Sequence, residues 1–336
     1  MMEIYLSKYG QFLGKKSERL VVKEKGKIKR EEPFFKVKRV IITSKGVSLS
    51  TDAIEECMKH GIQIDFLNFK NEPYAKLSSP FLQGTVKTRR AQLTAYDNKK
   101  GLKLAKYFVI GKVNNQINLL KYMSKYRKKR DAELYNYMCE KIEDIEDLLV
   151  DIEKIEGEDI DKVRQDIMTL EAHCAKKYWK TIKNILPDEI DFPGRKTRGA
   201  TDLINSMLNY GYAILYSHIQ GAIILAGLDP FAGFMHVDRS GRASLVLDFI
   251  EEFRQQVVDK TIFAMVNRGT KLKIEDNRLS KKTKNKLRNK LKKKFNSYQK
   301  YEGKKEKIRV IIQRQARQVA TFLRGERKYT PFIGSW

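Results

Sequence analysis

The hydrophobic pattern of the chain changes once, at about residue 77. Before that point, short runs rich in Val, Ile, Tyr and Phe alternate with turn residues, as in MEIYLS, QFLGKK, RLVVKEKG, VKRVIITSKG and IQIDFLN. Runs of this length and composition are typical of β-strands. The segment AIEECMKHG has helical spacing instead. Residues 1–77 therefore predict a small sheet with one packed helix.

From residue 86 onward the apolar period becomes helical and stays so. Apolar side chains in the first segment, from Leu104 to Leu120, recur mostly at intervals of three and four, which is the spacing of an amphipathic helix. The stretch KLSSPFLQG supplies the Ser, Pro and Gly residues of an interdomain connection. The pattern predicts an α+β protein, with a small β-rich N-terminal domain (1–77), a linker (78–86) and a larger all-α domain (87–336).

The charge balance of the chain points to a polyanionic partner. There are 68 Lys and Arg residues against 41 Asp and Glu, and the formal net charge is +27. This excess is far beyond what solubility requires, so nucleic acid is the first candidate partner and an acidic membrane surface the second. The most apolar region, residues 213–228, is too short to span a bilayer and carries His218 and Gln220. We expect it to be a buried helix and expect no membrane span.

Two charged runs differ from the rest of the sequence. Residues 281–294 contain nine basic residues and no acid. Such a run repels itself, so we expect it to be mobile unless an anion holds it. Between Glu140 and Asp161 there are eleven carboxylates. These indicate a solvated helix face, with a docking surface for a basic partner as the alternative.

The cysteine and glycine patterns exclude several classes of site. Cys57, Cys139 and Cys174 are far apart in the sequence and form no CxxC pair, so neither a disulfide framework nor a thiolate zinc site is expected. This usage indicates a cytoplasmic, reducing location. No GxGxxG or GxxxxGK loop is present, and a nucleotide cofactor therefore has no support.

One segment combines an apolar helix face with three polar groups, GLDPFAGFMHVDRSGRASLVLDFIEEFR at residues 227–254. Asp248 and Glu251 are three residues apart, which makes them neighbours on a helix. Adjacent carboxylates repel unless a cation or proton lies between them, so this pair is either solvated or part of a hard-metal site. His236 favours the second interpretation, because imidazole with carboxylates suits Mn²⁺ or Mg²⁺ better than structural zinc.

A metal site of this kind needs a further ligand from elsewhere in the chain. Glu171, in LEAHCAKKYW, is the candidate. The small residues Ala172 and Ala175 on the same helix permit close approach of another helix, which would let the carboxylate reach a shared interior. The alternative is an ordinary surface position, which is where most glutamates lie.

These motifs resemble those of the CRISPR-associated integrase family, also called the CRISPR-associated endonuclease of spacer acquisition. The segment 227–254 looks like its signature of a Gly-Leu-Asp-Pro turn, a histidine, and a Leu-Asp helix ending in acidic pairs and arginine. LEAHCAKKYW is similar to its other ligand helix, TDLINSMLNYGYAIL to its asparagine-tyrosine helix, TRRAQL to its first helical entry, and VSLSTDAIEECMKHGIQIDFL to its N-terminal sheet. The likeness runs over nearly the full length. It departs at Ala172, where many members have glycine, and at GRKTRGATD, which replaces an Arg-Pro-rich approach.

The resemblance implies a set of site residues. Carried over by position, the catalytic metal ligands are Glu171, His236 and Glu251, with Mg²⁺ or Mn²⁺ as the cofactor. Asp248 is implied as a nearby acidic group that assists the ligands or holds a second ion. Sequence-independent contacts to DNA phosphates are expected from two basic runs, Arg127, Lys128, Lys129 and Arg130, and Lys290, Lys292, Lys293 and Lys294.

The resemblance also implies an activity and partners. The expected reaction is insertion of new spacer DNA into the repeat array, by attack of a 3′-hydroxyl on a phosphodiester; with water as nucleophile the same site is a DNA endonuclease. The implied partners are double-stranded DNA (the prespacer and the CRISPR repeat), a second copy of the chain joined through the β-rich domain, and the small second adaptation protein. The competing hypothesis is a non-catalytic basic nucleic-acid-binding protein whose acidic cluster is structural.

Overall fold

The structure, a computed structural model, describes residues 2–68, 73–79 and 86–334. The chain divides into two compact units, Met1–Gln83 and Gly84–Trp336. The first is built of strands around one helix and the second is mostly helical, which confirms the predicted α+β class. Most of the predicted linker 78–86 lies outside the described residues.

The N-terminal unit contains two four-stranded sheets rather than the single sheet that the sequence predicts. In one sheet the order is β1-β5-β7-β8, with the first three strands parallel and β8 antiparallel; in the other it is β4-β3-β2-β6, with β6 parallel to β2 and the remaining pairs antiparallel. The strands are β1 (Met2–Leu6), β2 (Gln11–Lys16), β3 (Arg19–Glu24), β4 (Lys27–Pro33), β5 (Val37–Ile42), β6 (Ser48–Leu49), β7 (Gln63–Leu67) and β8 (Pro73–Leu77).

Helix α1 (Thr51–Lys59) packs on this unit, and a 3₁₀ turn covers Phe34–Lys36. The β4 segment, KIKREEP, escaped the sequence analysis because it has no apolar alternation. It is the terminal strand of its sheet, and charged side chains are a common feature of such exposed edges.

The second unit is formed by nine helices and two short hairpins in the range 86–334. The hairpins are β9 (Ile274–Glu275) with β10 (Arg278–Leu279), and β11 (Tyr298–Tyr301) with β12 (Lys304–Lys307); they are departures from a purely helical domain. A π-helix covers Arg254–Asp259. The helices are α2 (Val86–Ala95), α3 (Lys99–Ser124), α4 (Ala132–Lys154), α5 (Ile160–Ile185), α6 (Leu203–Leu225), α7 (Ser244–Ile250), α8 (Lys260–Asn267), α9 (Lys281–Phe295) and α10 (Ile308–Leu323).

Helix α6 contains most of the apolar region that the sequence analysis expected to be buried. Its residues Leu208, Leu215 and Ile219 are fully buried in the helical core. Across the described ranges, no helix combines the length and the apolar character that crossing a bilayer requires.

The basic run 281–294 forms an ordered helix, so the expectation that it is mobile was wrong. Leu287, Leu291 and Phe295 recur at intervals of four residues in α9, and all three are buried. Ser280 caps the helix by accepting a hydrogen bond from the backbone N–H of Thr283. Burial of an apolar side chain of this size stabilises by about 1.5–3 kcal/mol. Three such side chains together outweigh the repulsion among exposed, screened lysines.

Candidate active site

The loop before α7 is organised by one buried carboxylate. Asp248 accepts hydrogen bonds from the backbone N–H groups of Phe234 (2.7 Å), Met235 (3.0 Å) and His236 (2.9 Å). It also lies 2.6 Å from Nδ1 of His236. Because a carboxylate can only accept here, Nδ1 carries a proton, and the lone pair of Nε2 remains for a ligand. Asp248 therefore fixes both the position of His236 and its tautomer.

The same loop is held from two further sides. The amide of Gln92 in α2 donates to the carbonyl oxygens of Asp229 (2.9 Å) and Ala232 (2.7 Å), and it accepts the backbone N–H of Asp229 at 2.8 Å. At Gly233 a Cβ atom would lie 2.6 Å from Cβ of Ser244. Glycine at this position thus allows the loop to rest on the first residue of α7.

A lysine lies between the two predicted glutamate ligands. Nζ of Lys112, in α3, makes a short contact with Oε1 of Glu171, in α5, and lies 3.0 Å from Oε2 of Glu251. The three side chains are only 11 to 23% exposed. A Cβ atom at Gly111 would lie 2.9 Å from Cγ of Glu252, so the glycine lets α3 approach this segment closely.

The second oxygen of Glu251 is held by an arginine from the π-helix. Nη1 of Arg254 lies 3.0 Å from Oε1 of Glu251, and its guanidinium lies 4.8 Å from the ring centre of Tyr212. Burial alone would raise the pKa of Glu251, but the positive charges of Arg254 and Lys112 outweigh it and hold this pKa below the ordinary value. A proton on His236 would lower the pKa of Glu251 in the same direction, so the imidazole is near enough to this carboxylate for its charge to act on it.

A further group of polar side chains packs against Arg254 on the side of Tyr212. The hydroxyls of Tyr212 (2.6 Å) and Tyr178 (2.9 Å) both donate to the buried carboxylate of Asp259. Burial raises the pKa of Asp259 above its ordinary value. Arg195 lies 5.4 Å from the ring centre of Tyr212 and donates to Oδ1 of Asn209 at 2.7 Å. Arg195, which precedes α6 in the chain, thereby packs against that helix beside the site.

The structure excludes one of the two interpretations that the sequence left open for the acidic pair. Asp248 is 1% exposed and Glu251 is 8% exposed, so the solvated helix face was wrong for both residues. They also have different environments, since Asp248 faces backbone donors and His236 whereas Glu251 faces two cationic side chains.

The side chains at this site have the donor chemistry for a hard divalent cation. Glu171 and Glu251 supply carboxylates and His236 supplies an imidazole nitrogen, which suit Mg²⁺ or Mn²⁺. Burial raises the pKa of the nearby Cys174 to about 12, so its thiol is protonated while no metal is bound. Within the described part of the chain, no three Asp, Glu, His or Cys side chains lie close enough together to hold a metal ion in their present positions. Lys112 lies in the space between the two glutamates.

The sequence profile of the family described as CRISPR associated protein Cas1 matches residues 4–302. The chain belongs to the Cas1 family. A protein named CRISPR-associated endonuclease Cas1 1 from Archaeoglobus fulgidus is 38% identical over 348 residues, with 100% of both chains covered. A protein of the same name from Francisella tularensis subsp. novicida is 32% identical, again with 100% of both chains covered. The resemblance inferred from the motifs is confirmed.

Solved structures share the fold of the Cas1-family chain. A casposase bound to its integration product has a TM-score of 0.79 at 24% identity, with 99% of this chain and 93% of that chain covered. A Cas1 protein from Thermotoga maritima has a TM-score of 0.73 at 20% identity, with 99% and 100% covered. At these identities the likeness extends to the fold alone.

Three residues that contact or position the predicted ligands of this Cas1-family site were missed in the sequence analysis. Gln92 and Lys112 act through tertiary contacts between distant segments, whereas Arg254 contacts Glu251, three residues before it in the chain. The only local signal for Lys112 is a charge within the otherwise apolar stretch FVIGKV. The two basic runs predicted to contact phosphates take no part in the cluster: residues 127–130 follow α3, and residues 290–294 belong to α9.

We expect Asp248→Asn to disturb the loop and the imidazole together. The amide NH₂ group would face backbone N–H donors, leaving buried groups unsatisfied at a cost of about 1–3 kcal/mol for each. A lower denaturant midpoint, followed by tryptophan fluorescence, is the expected result. The control is Asp238→Asn, at an exposed position of the same loop. Equal midpoints for the two variants would show that Asp248 does not organise the loop.

Proposed function

We propose that this Cas1-family chain is a metal-dependent DNA integrase and endonuclease of CRISPR adaptation. The observation that supports the proposal most directly is the convergence of Glu171 and Glu251, from separate helices, on one cation position beside His236. Glu251 is buried and Glu171 is half-buried, and carboxylates brought together in such surroundings repel unless a positive charge lies between them. The curated relatives carry the name endonuclease, and they match over the full length of the chain.

Each residue of the site has a defined part in this proposal. Glu171 and Glu251 would bind the ion through carboxylate oxygens, and His236 through Nε2. When bound, Mg²⁺ or Mn²⁺ polarises the scissile phosphate and lowers the pKa of the attacking hydroxyl. Asp248 serves as a positioning residue rather than as a ligand of a second ion, because both of its oxygens already accept hydrogen bonds.

The proposed reaction is an exchange of phosphodiesters. The oxygen of a prespacer 3′-hydroxyl forms a bond to the target phosphorus, and the bond from phosphorus to the 3′-oxygen of the repeat strand breaks. The proton lost by the attacking hydroxyl matches the proton gained by the leaving oxygen. The number of phosphodiesters is unchanged, so no nucleotide energy source is needed. Water in place of the hydroxyl gives strand cleavage.

The proposed partners follow from charge and from the structural relatives. Duplex DNA, as prespacer and repeat, suits the net charge of +27. One fold neighbour, with a TM-score of 0.75 at 20% identity, is a Cas6-RT-Cas1–Cas2 complex. This supports assembly with the small second adaptation protein, Cas2. A homodimer formed through the β-rich unit completes the proposed assembly.

The competing function is a basic nucleic-acid-binding protein without catalysis. One observation favours it, namely that Lys112 and Arg254 together already balance the charges of the two glutamates. Calorimetric titration with Mn²⁺ separates the two functions. Saturable binding that is lost in Glu171→Ala supports the metal-dependent enzyme, and the absence of binding supports the alternative.

We expect His236→Ala, Glu171→Ala and Glu251→Ala each to abolish strand transfer and DNA cleavage. DNA affinity should stay within a few-fold of wild type, because phosphate contacts come from basic residues elsewhere. The assay combines a 3′-hydroxyl duplex with a supercoiled repeat plasmid, in the presence and absence of Cas2. Wild-type turnover of any one variant in Mn²⁺ would remove that residue from the ligand set.

We expect Lys112→Met to bind Mn²⁺ at least about tenfold more tightly than wild type. A unit charge about 4 Å from another is worth about 4 kcal/mol at an effective dielectric constant of 20, so removal of the ammonium lifts a strong repulsion. Without metal the variant should unfold at a lower temperature, since two carboxylates lose a shared partner. Calorimetry and thermal denaturation measure the two effects. Weaker Mn²⁺ binding would mean that Lys112 does not occupy the position of the ion.

We expect residues 1–77, expressed alone, to form a dimer at micromolar concentration. This segment has its own apolar core, built on residues such as Leu6, Leu13, Val40 and Ile64. Sedimentation velocity measures the mass of the species. A monomer would place the dimer contact of the chain outside this unit.

A further inference from the structure

Two basic runs that are about 160 residues apart in the sequence come together in the helical unit. One cavity, of about 470 Å³, is lined by Arg127 and Arg130 together with residues of α8. A second, of about 280 Å³, is lined by Lys290, Lys293 and Lys294 of α9. The two cavities share a wall made of Lys260, Ala264 and Arg268. We call them together the basic groove.

The basic groove has an unusual charge for a protein with 41 acidic residues. Seven basic side chains line it, and no Asp or Glu does. No carboxylate among the described residues forms an ion pair with Lys290, Lys293 or Lys294. Charges of one sign collected in a concave surface attract counter-ions of the opposite sign strongly, because the low-dielectric walls focus the field.

Part of this charge is withdrawn from water. Burial lowers the pKa of Lys294 to about 8, and the positive charge of Lys260 lowers it further in the same direction. Burial lowers the pKa of Lys260 as well. Placing two partly buried ammonium groups side by side costs free energy in the empty groove. A bound anion would recover that free energy.

An aromatic side chain lies at the rim of the groove. The ring of Tyr126 is 64% exposed and meets Tyr122 edge-on, with 5.7 Å between ring centres. Nζ of Lys260 lies 4.2 Å from the ring centre of Tyr122. Aromatic rings beside a row of phosphate-binding cations are the feature by which proteins bind unpaired strands, because bases inside a duplex have no free face to stack.

We infer that the basic groove binds a single strand of nucleic acid. The Lys and Arg side chains of the two runs contact its phosphates, and an unpaired nucleobase stacks on Tyr126. This inference rests on the proposed nucleic-acid function of the chain, but it does not depend on the metal site. Only some of the residues predicted to contact phosphates line the groove, namely Arg127, Arg130, Lys290, Lys293 and Lys294. The others, Lys128, Lys129 and Lys292, do not line it.

The first test compares two triple variants of the same helix. Lys290→Gln/Lys293→Gln/Lys294→Gln removes three charges from the groove, and Lys281→Gln/Lys282→Gln/Lys284→Gln removes three from outside its lining. Binding of labelled single-stranded DNA is followed by fluorescence anisotropy in EDTA across a salt titration. Each phosphate contact on a single strand contributes about 0.7 to the magnitude of the slope of log affinity against log salt. The groove variant loses three contacts, so the magnitude of its slope should fall by about 2. The outside variant should keep the wild-type slope.

Equal slopes for the two triple variants would overturn the inference, because the charges would then act only through the overall field. Circular dichroism checks folding of both. Lys294 is partly buried, so the pair Arg130→Gln/Lys290→Gln, at two exposed positions, repeats the test from both runs should the triple variant not fold. Since no metal is present, loss of strand transfer through a faulty metal site leaves this measurement unaffected.

The second test concerns the type of nucleic acid. Tyr126→Ala should weaken binding of single-stranded DNA about 5- to 150-fold, the equivalent of about 1–3 kcal/mol per stacked base, and leave binding of blunt duplex unchanged. Tyr126→Phe keeps the ring and should retain wild-type affinity. Equal losses for single strand and duplex, or no loss for either, would overturn the assignment to an unpaired strand.

Discussion

The ion cluster around Lys112 is the interaction on which the architecture of the site depends. It joins α3, α5 and the end of α7 through charges that are costly to bury unless each has a partner. Glu251 stays ionised only because Arg254 and Lys112 offset its burial. Two negative charges, Glu171 and Glu251, thus face two positive ones, and the cluster is close to neutral. Separation of any one segment would leave an unpaired buried charge.

The π-helix explains how one short segment serves both this cluster and the layer behind it. A π-turn has a wider repeat than an α-turn and is frequently found at functional sites. Here Arg254, at its start, reaches Glu251, and Asp259, at its end, accepts the hydroxyls of Tyr178 and Tyr212. Tyr212 contacts the guanidinium of Arg254, so the buried carboxylate supports the arginine through the aromatic ring.

The sequence reveals those features that depend on local pattern. Strands β1, β2 and β5 and the helical character of the second unit follow from apolar period, and the histidine motif follows from residue order. The features that the sequence does not reveal depend on tertiary contacts. Lys112 and Gln92 reach the site across long sequence separations, and α9 is ordered by three apolar residues hidden in a lysine-rich run. The charge of that run was read correctly; its effect on order was overestimated, because apolar burial outweighs screened repulsion.

The near-neutral state of the cluster bears on how an ion and DNA would bind under the proposed function. A divalent cation added beside Lys112 and Arg254 would create an excess of two positive charges in a site that is largely withdrawn from water. Either Lys112 leaves the space between Glu171 and Glu251, or a DNA phosphate supplies the missing negative charge. Both routes couple the ion to the substrate, because an ammonium displaced from the two glutamates finds its nearest new partner in a phosphate oxygen. On this reasoning Lys112 holds the glutamates together before DNA arrives and favours the simultaneous entry of metal and phosphate.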